Sequence, residues 1–589
     1  MKSFFKTMLA TMTGIFVMGL LFLLVIFIFI GALISTADKT VTISSNSILQ
    51  INLDETIADR ASDNPLEGFS FPTFRINRKL GLVDIVRNIH KAAGDPDIKG
   101  IYMNLSYIPA GLATIDEIRN ALLDFKKSGK FVISYGDLYT QPAYYLASVS
   151  DSILLNPAGV VTFVGMRAEV MFFKGALEKL GLEPEVIRHG KFKSAVEPFI
   201  NDKMSKENRE QISVYVNSIW NYILGKISEK RNIPVDSLNY FADHLSIRTA
   251  KDLVNHRLVD ALMYKDELIA LLKSKSDLKP KQKLRMVNLS KYDRVPSKDE
   301  GNESEKNKIA VIYAMGDIIM GEGQEGNIGS DRISAVIRQA REDTMVKAIV
   351  LRVNSGGGSA LASDVIWREV KLAREKKPVV ASLGDVAASG GYYIVCAADT
   401  IVAHPNTLTG SIGVFGLLIN VQKLMNNKLG ITTDVVKTNK FSDFASVYKP
   451  LTAEEKEVIQ EGVEDIYKSF IEHVGEGRKM KTSQVDSIGQ GRVWSGVNAK
   501  KIGLIDTYGG LEDAIKIAAH MAKLDRYRTV SLPQLEPAME QIMKQIYGEV
   551  SLSMVPKEFQ EGLSVYKFLK SYMESPGIQA RIPAEIRLY

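Results

Sequence analysis

The chain has 589 residues, of which 46% are hydrophobic and 24% charged, and its formal net charge is +6. This length exceeds one ordinary hydrophobic core, so two or more domains are expected. The small net charge, with no basic tract interleaved with aromatic residues, argues against a nucleic-acid-binding protein. A single cysteine, Cys396, excludes an intrachain disulfide, and the seven scattered histidines have no metal-site spacing. We therefore expect no metal and no cofactor, with Cys396 packed in a core.

The first predicted element is an uncharged apolar run of 27 residues at 8–34. This run exceeds both the roughly 20 residues that cross a bilayer as a helix and the roughly 7–15 of a signal-peptide apolar region. Lys2 and Lys6 precede it, and the positive-inside rule places them in the cytoplasm. We predict an uncleaved, single-pass transmembrane anchor, with residues 1–7 cytoplasmic and the remaining chain in one extracytoplasmic body.

An internal repeat organises the remaining chain. DPDIKGIYMNL from Asp95 resembles DTMVKAIVLRV from Asp343, at an offset of 248 residues (343 − 95 = 248) that keeps matching at turn and strand-end positions. Such self-similarity predicts one structural unit used twice. We expect a first copy at 35–291, a polar linker at 292–307, a second copy at 308–525 and an unmatched C-terminal extension at 526–589.

Each copy alternates β-branched runs with amphipathic stretches. In the second copy, residues 347–353 and 378–383 predict strands, and residues 362–376 between them predict a helix. This alternation indicates an α/β fold with a helix-covered parallel sheet, whose ligand sites lie at the carboxyl ends of strands. Loops rich in small residues occupy such ends: NSGGGS (354–359), GDVAASGG (384–391) and TLTGSIG (407–413).

Ser389 is the serine of the second of these loops. A β-branched run precedes it and an apolar helical pattern follows it, which is the context of a nucleophile exposed at a strand-to-helix turn. Ala387 replaces the first glycine of the G-x-S-x-G pattern, and no histidine lies nearby in the sequence. Ser389 is a candidate nucleophile without an evident base in its own copy.

The first copy lacks the small residues of these loops. At the same offset, other residue types stand opposite Ser389, Ser411, Gly357, Gly358 and Gly390: Gln141, Phe163, Pro109, Ala110 and Pro142, respectively. The first copy cannot house the same nucleophile.

The first copy carries, in turn, a lysine that the second lacks. Lys193, in RHGKFKSAVEPF, stands opposite Phe441 at the strict offset. A desolvated lysine can serve as the base for a serine nucleophile. The complementary losses predict a dyad of Ser389 and Lys193 divided between the copies, with Lys191 as the fallback base.

The chain resembles the signal peptide peptidase A (protease IV) family in its long two-repeat form. The resemblance covers essentially the whole chain through GKFKSAVEPF, RVNSGGGS, AASGGYY, TLTGSIGV and GLIDTYGGLEDA, in this order. It implies tandem Clp protease/crotonase-like domains and a serine endopeptidase that degrades cleaved signal peptides and other apolar peptides. It also implies a homo-oligomer, expected to be a tetramer, on the periplasmic side of the bacterial inner membrane.

The resemblance also implies roles for individual residues. Ser389 is the expected nucleophile, Lys193 the general base, and Ser411 the residue that contacts and orients the lysine. The N–H groups of Gly390 and of Gly357 or Gly358 would form the oxyanion hole, and the helix after Ser389 would direct its positive end there. Gly356 stands where the family usually has a proline.

Other functions are weighed against this prediction. The S-x-x-K pattern of penicillin-binding enzymes occurs at 446–449 and 564–567, but K-T-G is absent. A crotonase-type acyl-CoA enzyme would share the fold, yet an outward-facing anchor would hold it where acyl-CoA is absent. A non-catalytic peptide-binding scaffold is a further alternative. A fluorophosphonate would label Ser389 in an enzyme and would not label it in such a scaffold.

Overall fold

In the computed structural model, the structure describes residues 2–37, 41–61, 69–70, 75–76, 79–296, 305–535, 578–582 and 587–588. Residues 297–304 of the predicted linker lie outside this described part. The same holds for most of the predicted extension, of which 526–535, 578–582 and 587–588 are described.

The predicted anchor falls within the first helix, α1 (Lys2–Ala37). The side chains of residues 25–37 in this helix lie outside the described part of the chain. Among the described residues, no helix combines the length and the apolar character needed to cross a bilayer. The anchor at 8–34 therefore stays a prediction.

Strands and helices alternate through the first copy. In chain order they are β1 (Ser47–Ile51), β2 (Phe69–Ser70), β3 (Arg75–Ile76), α2 (Leu82–Gly94), β4 (Ile98–Asn104), α3 (Leu112–Lys126), β5 (Phe131–Tyr139), α4 (Gln141–Ala147), β6 (Ser152–Val161), β7 (Ala168–Glu169), α5 (Lys174–Leu180), β8 (Glu183–Arg188), a 3₁₀ turn (Ser194–Val196), α6 (Glu197–Ile200), α7 (Lys206–Arg231), α8 (Val235–Asp243), α9 (Ala250–Asn255), β9 (Ala261–Leu262), α10 (Lys265–Lys275), β10 (Met286–Asn288) and α11 (Leu289–Asp293).

The second copy has a similar order of strands and helices. Its elements are β11 (Lys308–Met315), β12 (Asp317–Ile319), β13 (Asn327–Gly329), α12 (Ser330–Glu342), β14 (Val346–Ser355), β15 (Gly357–Ser359), α13 (Ala360–Arg374), β16 (Val379–Ala388), α14 (Gly390–Tyr393), β17 (Thr400–Ala403), β18 (Leu408–Gly410), β19 (Phe415–Asn420), a π-helical turn (Leu424–Leu429), α15 (Ala453–Arg478), α16 (Thr482–Ile488), β20 (Val493–Ser495), α17 (Gly496–Lys501), β21 (Thr507–Tyr508), α18 (Leu511–Met521) and β22 (Arg528–Leu532), followed by β23 (Ile578–Arg581) and β24 (Arg587–Leu588).

Each copy builds a mainly parallel sheet. The first sheet has the order β10-β1-β4-β5-β6-β9 and is parallel throughout. The second has the order β20-β18-β16-β14-β11-β22, and only its β18–β20 pair is antiparallel. The predicted strands and helix of the second copy correspond to β14, β16 and α13. The predicted α/β class is confirmed.

The duplication is visible in element lengths. Helices α2 and α3 recur as α12 and α13 at an offset of 248 residues (330 − 82 = 248), each with the same length as its counterpart. The two 26-residue helices, α7 and α15, recur at an offset of 247 (453 − 206 = 247). Equal lengths at nearly constant spacing indicate one unit used twice, as the repeat predicts.

A third sheet joins the two copies. Its order is β13-β12-β15-β23-β19-β8, so a strand of the first copy, β8, pairs antiparallel with β19 of the second. This pairing carries the segment after β8 to the carboxyl ends of the second parallel sheet. The site described below combines the segment after β8 with loops of the second copy, so it depends on the β8–β19 pairing.

Candidate active site

Ser389 lies immediately after β16, where the chain turns sharply. Its φ and ψ angles are 56° and −117°, in a region that L-residues rarely adopt. The Ser389 N–H donates to the Gly410 carbonyl at 2.8 Å, which ties the turn to β18. The predicted helix after Ser389 is α14, which has only four residues, so its dipole contribution is small.

Lys193 reaches the same place from the first copy. It follows β8 and directly precedes the 3₁₀ turn, and Arg188 donates to its carbonyl at 3.2 Å. Gly491 of the second copy packs against it so closely that a β-carbon there would lie 2.6 Å from Lys193 Cα. The positive φ of Gly491, 83°, and this contact both require glycine.

The structure brings the predicted nucleophile and base within hydrogen-bonding distance. Lys193 Nζ lies 2.7 Å from Ser389 Oγ and 3.2 Å from Ser411 Oγ. Ser389 is 0% exposed, and Lys193 and Ser411 are each 1% exposed. Burial lowers the pKa of Lys193 well below 10.5. A buried lysine with a depressed pKa is able to accept the serine proton.

The predicted oxyanion glycines lie beside this pair. A β-carbon on Gly357, whose φ is 100°, would lie 2.8 Å from the Gly390 nitrogen. The Gly357 N–H donates to Ser355 Oγ at 3.1 Å, so it is already engaged. Of the two loop glycines, Gly358 is therefore the better candidate to donate alongside Gly390.

The first copy fills the equivalent position with a side chain. Gln141 Oε1 accepts from the N–H groups of Val164 and Gly165 at 2.8 and 3.0 Å, and Gln141 Nε2 donates to the Gly165 carbonyl. Phe163, opposite Ser411, is buried against Tyr144. This loop is a packed structural turn, and Phe441, opposite Lys193, is exposed.

Sequence reasoning did not identify Gln211, on α7. Its Nε2 donates to the Phe192 carbonyl and to Ser194 Oγ, at 3.0 and 2.9 Å, on either side of Lys193. Its Oε1 accepts from the Val493 N–H of the second copy at 3.1 Å. The only sequence signal is an asymmetry between the copies, because the equivalent position of α15 is Val458.

The remaining candidate groups lie elsewhere. Cys396 is fully buried in the second core, its Sγ donates to the Tyr393 carbonyl at 3.1 Å, and burial raises the pKa of its thiol. In the described part of the chain, no three His, Cys, Asp or Glu residues are grouped to hold a metal ion.

Comparisons with known proteins match the chain to one peptidase family. The profile of peptidase family S49 matches residues 124–279 and 371–525, once in each copy. Protease 4 of Haemophilus influenzae is 36% identical over 83% of this chain and 81% of its own length. Protease 4 of Salmonella typhi is 37% identical over 88% and 85%, respectively. The chloroplastic serine protease SPPA of Arabidopsis thaliana is 35% identical over 78% and 68%.

A solved ClpP1 mutant from Listeria monocytogenes is 17% identical, covers 35% of this chain and 94% of its own, and has a TM-score of 0.24. That score is too low to bear on the fold, so the Clp protease/crotonase type stays a prediction.

The family model matches each copy, and the chain matches most of the length of the three relatives, so the class of protein is a duplicated serine peptidase. The chain belongs to peptidase family S49 in its two-repeat form and is a serine protease.

Proposed function

We propose that the chain is a membrane-anchored endopeptidase that degrades cleaved signal peptides and other apolar peptides with a Ser389–Lys193 dyad. The observation that carries the dyad is the 2.7 Å distance between Lys193 Nζ and Ser389 Oγ, two side chains that are both buried. Burial lowers the pKa of Lys193, and among the described residues no carboxylate pairs with its amine.

The dyad would work by moving one proton twice. Ser389 Oγ attacks the peptide carbonyl carbon as its proton passes to the neutral Lys193 Nζ. The N–H groups of Gly390 and Gly358 stabilise the oxyanion, and each such donor is worth about 3–4 kcal/mol in the transition state. The lysine then protonates the departing amine, and a water molecule hydrolyses the acyl-enzyme by the reverse route.

Ser411 would orient the lysine. Its Oγ lies 3.2 Å from Lys193 Nζ and 3.3 Å from the Gly491 carbonyl, to which the hydroxyl can donate. With its proton so engaged, the hydroxyl presents a lone pair to the amine. The φ angle of Ser411, 50°, is a strained backbone conformation for a non-glycine residue, and such strain is typical of functional sites.

A direct experiment tests the peptidase. A fluorophosphonate is expected to label Ser389 in the wild type, and purified wild type is expected to hydrolyse an apolar signal-peptide sequence. Ser389→Ala should lose both activities while keeping the same melting temperature within a few degrees. Equal hydrolysis by the Ser389→Ala variant would contradict the assignment.

The membrane and assembly proposals rest on other observations. The apolar run at 8–34 supports an anchor that holds the body on the periplasmic side of the inner membrane, near signal peptides released in the bilayer. Retention of the full chain in carbonate-washed membranes, and its release when residues 1–37 are deleted, would test the anchor. Mass photometry of the deleted form would test the expected tetramer.

A further inference from the structure

A strand from the C-terminal segment occupies the space beside the catalytic serine. Strand β23 pairs antiparallel with β15, which contains the oxyanion loop, and on its other side with β19. An extended peptide that binds by strand addition takes such a place, with main-chain hydrogen bonds on both sides. The protein therefore holds one of its own segments where a peptide substrate would lie.

The register of this segment follows from one hydrogen bond. The Ile582 N–H donates to the Gly356 carbonyl at 2.9 Å. Hydrogen-bonded and non-hydrogen-bonded pairs alternate along an antiparallel ladder. Two positions further along, Gly358 and Ala580 are paired in the same ladder. The alternation makes them a hydrogen-bonded pair, in which the Gly358 N–H faces the Ala580 carbonyl oxygen.

The same oxygen lies close to the other predicted donor. A β-carbon built on Gly390 would lie 3.0 Å from the Ala580 oxygen, and one built on Gly357 would lie 2.0 Å from it. The Ala580 carbonyl oxygen thus lies between Gly358 and Gly390, and Gly390 directly follows Ser389 in the chain. These two N–H groups are the expected oxyanion hole, so the Ala580–Arg581 bond has the position of a bond to be cleaved.

The side chains of the segment fit the groove in an alternating pattern. Ala580 is 0% exposed, within an apolar cluster that includes Val414 and Tyr467, and Ile578 packs on the same cluster. Successive strand side chains point to opposite faces, which explains why residues 578 and 580 share it. Arg581, on the other face, pairs with Asp317.

We propose that residues 578–582 are an internal substrate and that Ser389 hydrolyses the Ala580–Arg581 peptide bond. The proposal rests on the dyad proposed above. Ser389 Oγ bonds to the Ala580 carbonyl carbon while its proton passes to Lys193 Nζ. The bond to the Arg581 nitrogen breaks as that proton is transferred to it, and residues 581–589 leave. One water molecule then hydrolyses the ester, which restores Ser389 and leaves Ala580 with a carboxylate.

Intact mass spectrometry of the full chain tests the proposal. Wild type purified in detergent is expected to end at Ala580, and Ser389→Ala is expected to retain Tyr589. The same wild-type sample is assayed with the peptide Pro-Gly-Ile-Gln-Ala joined to aminomethylcoumarin, which presents the sequence before the cleaved bond. A wild type that hydrolyses this peptide yet keeps Tyr589 would overturn the self-cleavage. A wild type that hydrolyses no peptide would instead overturn the proposed function.

Two substitutions at one position test the register. Ala580→Trp cannot fit the buried cluster, so this chain is expected to keep its C-terminus while still hydrolysing the coumarin peptide. Ala580→Ser is small enough to dock and is expected to be cleaved at the same bond as the wild type. Cleavage after residue 580 in the tryptophan variant at the wild-type rate would show that the register is wrong.

Discussion

Lys193 differs from a surface lysine in what surrounds its amine. The side chain is 1% exposed, and its amine contacts the hydroxyls of Ser389 and Ser411. Lys193→Ala should therefore reduce peptide hydrolysis to background because, in the part of the chain that the structure describes, Lys193 is the only titratable side chain that forms a hydrogen bond with Ser389 Oγ. Lys191→Ala is the matched control, since Lys191 is exposed and is expected to lose less than about twofold. Substantial activity of Lys193→Ala at neutral pH would reject the lysine base.

The same burial predicts a pH-dependent stability. The folded pKa of Lys193 is depressed below the value of 10.5, so between the two values the unfolded chain binds more protons. The contribution of Lys193 to folding stability is fully present above pH 10.5 and is lost as the pH falls through the folded pKa of the lysine. Lys193→Met removes this titration and should be more stable than wild type at pH 7, by about 1.4 kcal/mol for each unit by which the folded pKa lies below 10.5, counted no further down than pH 7.

The advantage of Lys193→Met should shrink as pH rises toward 10.5. Melting temperatures of both proteins between pH 6 and 10 measure it, and Lys191→Met controls for the loss of one charge at an exposed position. If the melting temperatures of Lys193→Met and wild type differ by the same amount across this range, the lysine titrates in the folded protein as it does in the unfolded chain.

Ser411 should affect rate more than folding. Ser411→Ala removes one hydroxyl from Lys193 Nζ, and loss of an orienting hydrogen bond at an active site lowers kcat by roughly 10–1,000-fold. Ser389 in this variant should still react with a fluorophosphonate, more slowly than in wild type. Loss of labelling together with loss of the thermal transition would show instead that Ser411 is structural.

At the scale of elements, the two copies are joined through helix termini as well as strands. Asp385, on β16, accepts from the N–H groups of Ala113 and Thr114 at 2.9 and 3.0 Å and from Thr114 Oγ1 at 2.6 Å. These groups open α3 of the other copy, whose own N-cap residue, Gly111, has no side chain to cap it. A carboxylate of the second copy therefore caps a helix of the first.

Asp385→Ala should lower the free energy of unfolding by about 2–3 kcal/mol because it leaves buried helix donors without their charged acceptor. It should also lower kcat/KM, since β16 ends at Ala388, immediately before Ser389. Its repeat counterpart, Asp137, is exposed, and Asp137→Ala is expected to change stability by less than about 0.5 kcal/mol. Chemical denaturation of both variants makes the comparison, and equal losses would remove the helix cap as the explanation.

Sequence patterns predicted the elements that contain enough residues to show a period. Strands β14 and β16 are β-branched runs, and α13 has a helical apolar stripe, so each is recognisable alone. Strand β23 has four residues, IQAR, and is a strand only because two sheet edges flank it. Most of the extension at 526–589 has no match in the first copy, so the repeat comparison predicts nothing there, although its strand β22 pairs with β11 as β10 pairs with β1.

At the scale of the whole molecule, the site is assembled from long-range contacts that no local pattern encodes. The repeat predicts Lys193, because the copy with the serine lacks the lysine. The repeat does not predict the role of Gln211, because that role depends on a crossing between copies that brings Val493 to it. Arg352 likewise ties the copies together, fully buried between Asp59 and Glu117 of the first copy, at 2.5 and 2.6 Å.

This long-range closure predicts one working site per chain. Lys193 and Ser389 are 196 residues apart and meet within a single chain. In an unduplicated ancestor, each unit would need both groups. After fusion, one pairing becomes intramolecular at high effective concentration, and the other is free to decay. The packed Gln141 loop and the exposed Phe441 are what such decay leaves behind.

Complementation between chains tests this closure. Ser389→Ala and Lys193→Ala chains, co-expressed with different affinity tags and purified through both, form mixed oligomers if the chain assembles. An intrachain dyad requires both groups in one polypeptide, so the mixed oligomers should stay at the background of either variant alone. Wild type carrying the same pair of tags is the control for tagging and purification. Recovery of about a quarter to a half of wild-type activity would show that serine and lysine come from different subunits, because each mixed contact would restore one site.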